Sequence, residues 1–367
     1  MRKVPFFSFD LVPSDDKHQW KNAIGQAIDA GRFVGGNFVE EFEQKWGLAI
    51  GAKYSIGVGN GFDGLVLALK ALGVGPGDRV AVPAHTFIAT WNAVSVVGAT
   101  PVGIDVDKFG LIDLDELKKT SDLKCVIPVH MHGAMVDMER LIKWTSVNSI
   151  RVIEDASQAH FAKSKRGYAG TLGDVGVFSL YPTKNLGALG DSGIVVTDNS
   201  SNAQFIRSFA NYGASNEDKY IHNIFGVNSR LDTIQAAVLL VNLSKSQTWT
   251  EHRKRLAKIY LENIIENNST RFMYTNPELS VWHHFPILTK HRGLLIEHLQ
   301  QNGVGTEIHY PNLAGNEFSR MMGKKSVDFP IGESISKTIL SLPISQWHKE
   351  EDIFYVCEIV NRFSEKK

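Results

Sequence analysis

From about Tyr54 onward the chain alternates short apolar runs with stretches of helical spacing, and this rhythm restricts the fold more than any single residue does. Residues 79–82 read as a strand, 87–97 as a helix, 102–105 as a strand and 113–119 as a helix. Residues 124–129 then read as extended, 137–147 as helical and 151–155 as a further strand. Such alternation predicts an α/β fold with a mostly parallel sheet covered by helices on both faces. Ligands of these sheets bind beyond the carboxyl ends of the strands, so polar residues at strand ends carry the functional information.

Past residue 195 the rhythm loosens. A short strand is expected at 195–197, a helix at 202–210, and two helical tracts at 230–243 and 251–266 with polar residues between them. From about residue 268 the pieces are short: extended at 281–288, helical at 291–302, extended at 306–309, helical at 334–340 and 350–362. This change of pattern predicts a large domain over 1–245 and a smaller α+β domain over 246–367. With 367 residues the chain can bury a large core and accommodate both.

Charge and cysteine content narrow the function classes. Lys plus Arg and Asp plus Glu number 39 each, so no long-range field gathers nucleic acid or an anionic membrane. Cys125, in an apolar run, and Cys357, in a late helix, read as small buried apolar residues and not as a disulfide framework. The apolar run near Met1 is too short for a signal peptide, and no stretch approaches the roughly 20 residues of a membrane span. A cytoplasmic enzyme is the expectation.

Three segments carry chemistry. In Phe178-Ser179-Leu180-Tyr181-Pro182-Thr183-Lys184-Asn185-Leu186-Gly187 an apolar run delivers one lysine into a glycine-rich turn. An amine held there suits Schiff-base chemistry with a carbonyl cofactor, although a solvated surface lysine fits the segment as well. Upstream, Val152-Ile153-Glu154-Asp155 ends an apolar strand in acid, with Gln158 just beyond. A carboxylate at a strand end is either a helix N-cap or, in combination with the lysine, the partner of a pyridine nitrogen. The third segment, Ser55-Ile56-Gly57-Val58-Gly59-Asn60-Gly61-Phe62-Asp63, leads into an apolar helix and offers backbone N–H groups to a phosphate. It is not a dinucleotide fingerprint: Phe62 occupies the third glycine position and no acid closes the next strand.

Together with Pro83-Ala84-His85-Thr86-Phe87, Gly226-Val227-Asn228-Ser229-Arg230-Leu231-Asp232 and Ile308-His309-Tyr310-Pro311, these segments resemble the DegT/StrS family of nucleotide-sugar aminotransferases over nearly the whole chain. The resemblance implies a fold type I pyridoxal phosphate enzyme: a large three-layer domain of the aspartate aminotransferase type and a smaller C-terminal domain. It implies that Lys184 carries the cofactor aldehyde and moves the proton, that Asp155 meets the pyridine nitrogen, and that Gln158 meets the ring oxygen or the ring face. Ser179, Gly61 and the N–H groups of Phe62 and Asp63 are implied for the phosphate, and Phe87 for stacking on the ring. Asn228 is implied to cross from a partner subunit, which makes a homodimer with shared active sites. Tyr181, Asn185, Arg230, His309 and Tyr310 are implied for the substrate.

The sequence departs from the family pattern at Phe62, where a small hydroxyl residue is expected, and at Ser192, where glycine is expected. The implied reaction takes an amino group from L-glutamate to a nucleotide-linked keto-6-deoxyhexose, dTDP being the expected nucleotide and C-3 favoured over C-4. The amino sugar would feed a surface polysaccharide such as O-antigen or a glycosylated natural product. A cofactor-dependent sugar dehydratase on this fold is disfavoured, because that branch carries histidine where Lys184 stands. A non-catalytic cofactor-binding regulator would be expected to lose Lys184 or Asp155, and both are present. His130-Met131-His132 and His283-His284 suggest a metal, but no matching cysteine or acidic spacing accompanies them, so no metal is expected.

Overall fold

The computed structural model describes residues 2–215, 220–267, 270–323 and 325–364. Two helices precede the alternating part, α1 (Ser14–Asp29) and α2 (Asn37–Ile50). In α2 the side chains of Val39, Phe42, Trp46 and Ile50 recur at helical spacing and are all buried, and Gly51 ends the helix at φ 77°. Then follow β1 (Tyr54–Val58), α3 (Gly61–Ala71), β2 (Arg79–Pro83), α4 (Ala89–Val96), β3 (Thr100–Ile104), α5 (Leu114–Leu117), β4 (Cys125–Val126), α6 (Met138–Val147), β5 (Arg151–Asp155), β6 (Val175–Ser179), β7 (Gly193–Thr197) and α7 (Ser200–Phe209).

The seven strands form one sheet in the order β1-β7-β6-β5-β4-β2-β3. All run parallel except β7, which lies antiparallel between β1 and β6. Strand β6 shows why its sequence is a continuous apolar run. Val175 and Val177 face a core shared with α3 and α4, while Phe178 faces the opposite core with Trp46 of α2. Burial on both faces removes the polar alternation of a half-exposed strand. Both cysteines are buried and unpaired.

Next come α8 (Thr233–Asn263), β8 (Thr270–Phe272), β9 (Phe285–Thr289), α9 (Arg292–Gln301), α10 (Ala314–Met321), α11 (Pro330–Thr338), β10 (Ile339–Leu342) and α12 (Glu350–Arg362). Strands β10, β9 and β8 form a second, antiparallel sheet around its own core of Tyr260, Trp282, Phe285, Ile287 and Val356.

The two expected helices at 230–243 and 251–266 are a single helix, α8, which passes through residue 245 without a break. Its polar middle stays helical because Ser244, Ser246 and Thr250 donate to the carbonyls of Val241, Leu243 and Ser246. The N-terminal half of α8 buries Ala236 and Leu239 against the large-sheet core, and the C-terminal half buries Leu256, Ala257 and Tyr260 in the second core. The expected helix at 334–340 starts earlier, with Pro330 in its first turn, and yields to β10 at Ile339. Residues 281–284, expected as strand, lead into β9 outside either sheet: the Val281 and His283 N–H groups donate to Gly133 and His132 C=O, and Trp282 turns at φ 52°.

Candidate active site

β5 and β6 pair in parallel, with Asp155 opposite Val177, and their carboxyl ends bring the first two chemical segments together. After Ser179 the chain folds into a tight loop in which Lys184 N–H donates to Tyr181 C=O and Ala188 N–H to Leu180 C=O. Gly187 is required here: a Cβ would lie 2.6 Å from the carbonyl oxygen of Pro182. Asn185 anchors the loop. Its Nδ2 donates to Val281 C=O at 3.0 Å and its Oδ1 meets His283 Nδ1 at 3.1 Å.

Lys184 lines a cavity of about 500 Å³ together with Asp155. Burial lowers the lysine pKa to about 8, against the attraction of the Asp155 carboxylate, which raises it. Asp155 is held by two donors: Thr90 Oγ1 at 3.0 Å on one oxygen and the Ser157 N–H at 3.2 Å on the other. Its backbone N–H donates to Pro128 and its carbonyl accepts from His130 N–H, so the carboxylate projects from a fixed strand end.

At the cavity's other side α3 presents its N-terminus. The Asn60 side chain caps it by accepting from Asp63 N–H at 2.8 Å, which leaves the first-turn N–H groups of Gly61 and Phe62 without an intrahelical partner. Gly61 lies against Ser179, where a Cβ would come within 2.8 Å of the serine Cβ, so both phosphate-type donors converge.

Ten of the residues singled out from the sequence line this one cavity: Gly61, Phe62, Phe87, Asp155, Gln158, Ser179, Tyr181, Lys184, His309 and Tyr310. Phe87 is 55% exposed, with its ring 5.7 Å from that of Tyr310. Gln158 accepts from His132 N–H at 2.7 Å and donates to Tyr310 Oη at 3.2 Å, so its amide is committed at both ends. His309 has its pKa lowered to about 4, by burial first and by the Lys184 charge second.

Four others lie elsewhere. The Asp63 N–H is already taken by Asn60. Asn185 is buried in the wall, its amide spent on Val281 and His283 instead of facing a substrate. Asn228 forms a bridge with Asn211, and Arg230 donates to Asn211 Oδ1 at 2.9 Å and lies over Tyr212; both are exposed.

Several contributors carried no local signal. Thr90, in the first turn of α4, reads as an ordinary helix residue until its bond to Asp155 is seen. His283 and His284 line the cavity as neutral rings, their pKa values held well below the usual histidine range, mainly by burial. His130 and His132 do not act together: His130 is bonded to Glu154, while His132 meets His284. Among the described residues no group of three or more His, Cys, Asp or Glu is placed to hold a metal ion. Nor is any described helix long and apolar enough to cross a membrane.

An amine and a carboxylate in one cavity, a helix N-terminus beside a serine, and an exposed aromatic face fit pyridoxal phosphate, and define the chain as a pyridoxal phosphate enzyme of the aminotransferase fold. The DegT/DnrJ/EryC1/StrS aminotransferase family matches residues 14–361, and the chain belongs to that family. It is similar to the dTDP-3-amino-3,4,6-trideoxy-alpha-D-glucose transaminase of Streptomyces venezuelae, at 35% identity over 371 residues, covering 99% of this chain and 97% of the relative. Its structure is similar to that of S. venezuelae DesV, with a TM-score of 0.95, 35% identity and complete coverage of both chains. It is also similar to ntdA of Bacillus subtilis with bound cofactor PMP, with a TM-score of 0.87 and 28% identity over 98% of this chain and 86% of that one. The chain is a sugar aminotransferase, and pyridoxal phosphate is its cofactor.

Proposed function

We propose that this aminotransferase moves an amino group from L-glutamate to C-3 of a dTDP-linked keto-6-deoxyhexose. The observation that carries the reading is Lys184 in one cavity with Asp155, in a chain that matches a transaminase whose name specifies a 3-amino sugar over 97% of its length. The cofactor, when bound, supplies an electron sink that lets a substrate α-hydrogen leave.

The chain's own residues supply the rest. Lys184 Nζ would carry the proton between the substrate carbon and the cofactor carbon; with a pKa near 8 it holds a usable fraction of free amine near neutral pH. Asp155, fixed by Thr90 and Ser157, keeps a proton on the pyridine nitrogen. The N–H groups of Gly61 and Phe62 and the hydroxyl of Ser179 take the phosphate, Phe87 covers one ring face, and Gln158 with Tyr310 closes another side. In a homodimer Asn228 reaches the partner's phosphate and Arg230 its substrate. Supporting this, both lie outside their own cavity among exposed apolar side chains: Tyr212, Ile221, Val227 and Phe225, the last 99% exposed.

The experiment incubates the enzyme and L-glutamate with the 3-keto and the 4-keto dTDP-6-deoxyhexoses separately and locates the new amine by NMR. A 3-amino product is expected. A 4-amino product would move the site of attack, and inactivity toward both would end the reading.

A further inference from the structure

Behind the cavity wall two imidazoles meet. His132 Nδ1 and His284 Nδ1 are 3.1 Å apart, joined across 152 residues of sequence. Both rings are buried, and His284 lines the cavity beside His309, on which it stacks with centroids 3.7 Å apart and planes 13° apart. His309 is itself fixed by Ser341 Oγ, 3.0 Å from its Nδ1. Burial above all, then the neighbouring imidazoles, holds the pKa values of His132 and His284 well below the usual range, so both rings are neutral.

A neutral imidazole carries one N–H and one lone pair, so a bond between two Nδ1 atoms admits two arrangements. In the first, His132 Nδ1–H donates and His284 carries its proton on Nε2, the nitrogen left for the cavity. In the second, His284 donates and its Nε2 is a bare lone pair. The two differ again at His132 Nε2, which is buried without a hydrogen-bond partner. The first arrangement orphans a lone pair there and the second orphans an N–H. A buried orphaned N–H is the rarer and costlier defect, so the first arrangement prevails.

We propose that His284, locked by His132 as the Nε2–H tautomer, is a specificity-determining residue that donates a hydrogen bond to an uncharged oxygen, hydroxyl or carbonyl, of the sugar substrate. This rests on the nucleotide-sugar reading above. A single neutral donor matches a sugar oxygen, whereas a carboxylate of glutamate is met in proteins by charged, often bidentate, donors. His284 is a donor and not an acid. Releasing its Nε2 proton would leave two buried rings sharing the one proton between their Nδ1 atoms, with a negative charge and no cation bonded to either.

The test uses the holoenzyme with His284→Leu and His284→Gln, following the glutamate and sugar half-reactions separately by the cofactor's absorbance. In His284→Leu the ratio of kcat/KM for the sugar to kcat/KM for glutamate is expected to fall about tenfold, the worth of one neutral hydrogen bond to substrate. His284→Gln, whose amide nitrogen takes the place of Nε2, is expected to recover most of it. An unchanged ratio overturns the proposal. A second measurement does not need turnover: 15N-histidine NMR of the native chain, assigned with His284→Leu and His132→Phe, is expected to show His284 protonated on Nε2 and His132 on Nδ1. The reverse pair, or a doubly protonated ring, overturns the lock. If the native enzyme turned over neither keto sugar, the functional reading would fail and the spectrum would still decide the tautomer.

Discussion

Among the described residues Asp155 is the group that favours the Lys184 ammonium: burial outweighs the carboxylate at the neighbouring strand end, and the lysine pKa stands lowered to about 8. Removing the negative charge therefore lowers the pKa further. In Asp155→Asn the reactive fraction of Lys184 should appear at a pH below that of the native chain. Trinitrophenylation of the cofactor-free protein across pH 6 to 10 (roughly bracketing the value above), with Lys184→Ala as the blank, reads this directly. An upward displacement would mean that the two side chains do not interact across the cavity.

Lys184→Ala tests the chemistry itself. The loop around it is held by backbone bonds and by Asn185, none of which uses the lysine side chain, so the fold should persist. Turnover should fall by about 10³-fold or more, the scale of losing a positioned proton carrier. Native-rate amine transfer by this variant, measured as 2-oxoglutarate formed in a coupled assay, would rule out the role assigned to Lys184.

Glu154 sits beside Asp155 but points to the other face of the sheet, where nothing catalytic lies. Its oxygens accept from the N–H groups of Gly170, Leu172 and Gly173 at 2.9, 2.6 and 2.6 Å, and from His130 Nε2 at 2.9 Å. Since Val136 N–H donates to His130 Nδ1, the histidine gives its single proton to Glu154. Glu154→Ala would orphan four donors around the strand that carries Asp155, two of them, at His130 and Gly170, fully buried. The expected loss is about 3–5 kcal/mol in urea unfolding. A loss below about 1 kcal/mol would show that water replaces the carboxylate there.

The parts of this molecule that declare themselves in the sequence are those with a short-range cause. The strand at Arg151–Asp155 and the helix at Glu350–Arg362 stand where periodicity and flanking polar residues put them. Asp155 was visible because it ends an apolar strand, and Lys184 because it stands in the glycine-rich turn just after another. The helix joining 230–243 to 251–266 was hidden by serine and threonine hydroxyls, which look like a break until they are seen to bond the preceding turn. The reversed direction of β7 has no local signature, since a strand buried on both faces reads alike in either direction. His132 and His284 read as fragments of metal motifs, because only the tertiary fold brings them within 3.1 Å.

That burial of imidazoles has a thermodynamic consequence. His85, His132, His160, His283, His284 and His309 all have pKa values below the ordinary 6.5, burial being the largest cause in each, and His85 and His309 stand at about 4. A histidine with a lowered folded pKa takes up its proton more readily when unfolded. Its contribution to stability is complete above the unfolded pKa of 6.5 and is lost as pH falls toward the folded value. Each such ring still neutral in the fold steepens the fall by up to about 1.4 kcal/mol per pH unit. Urea unfolding should therefore show stability falling steeply between pH 6.5 and about 4. Replacing both members of the linked pair, His132→Phe with His284→Leu, should flatten that slope by up to two protons' worth. A double variant with the native slope would mean that those two rings are not held neutral by the fold.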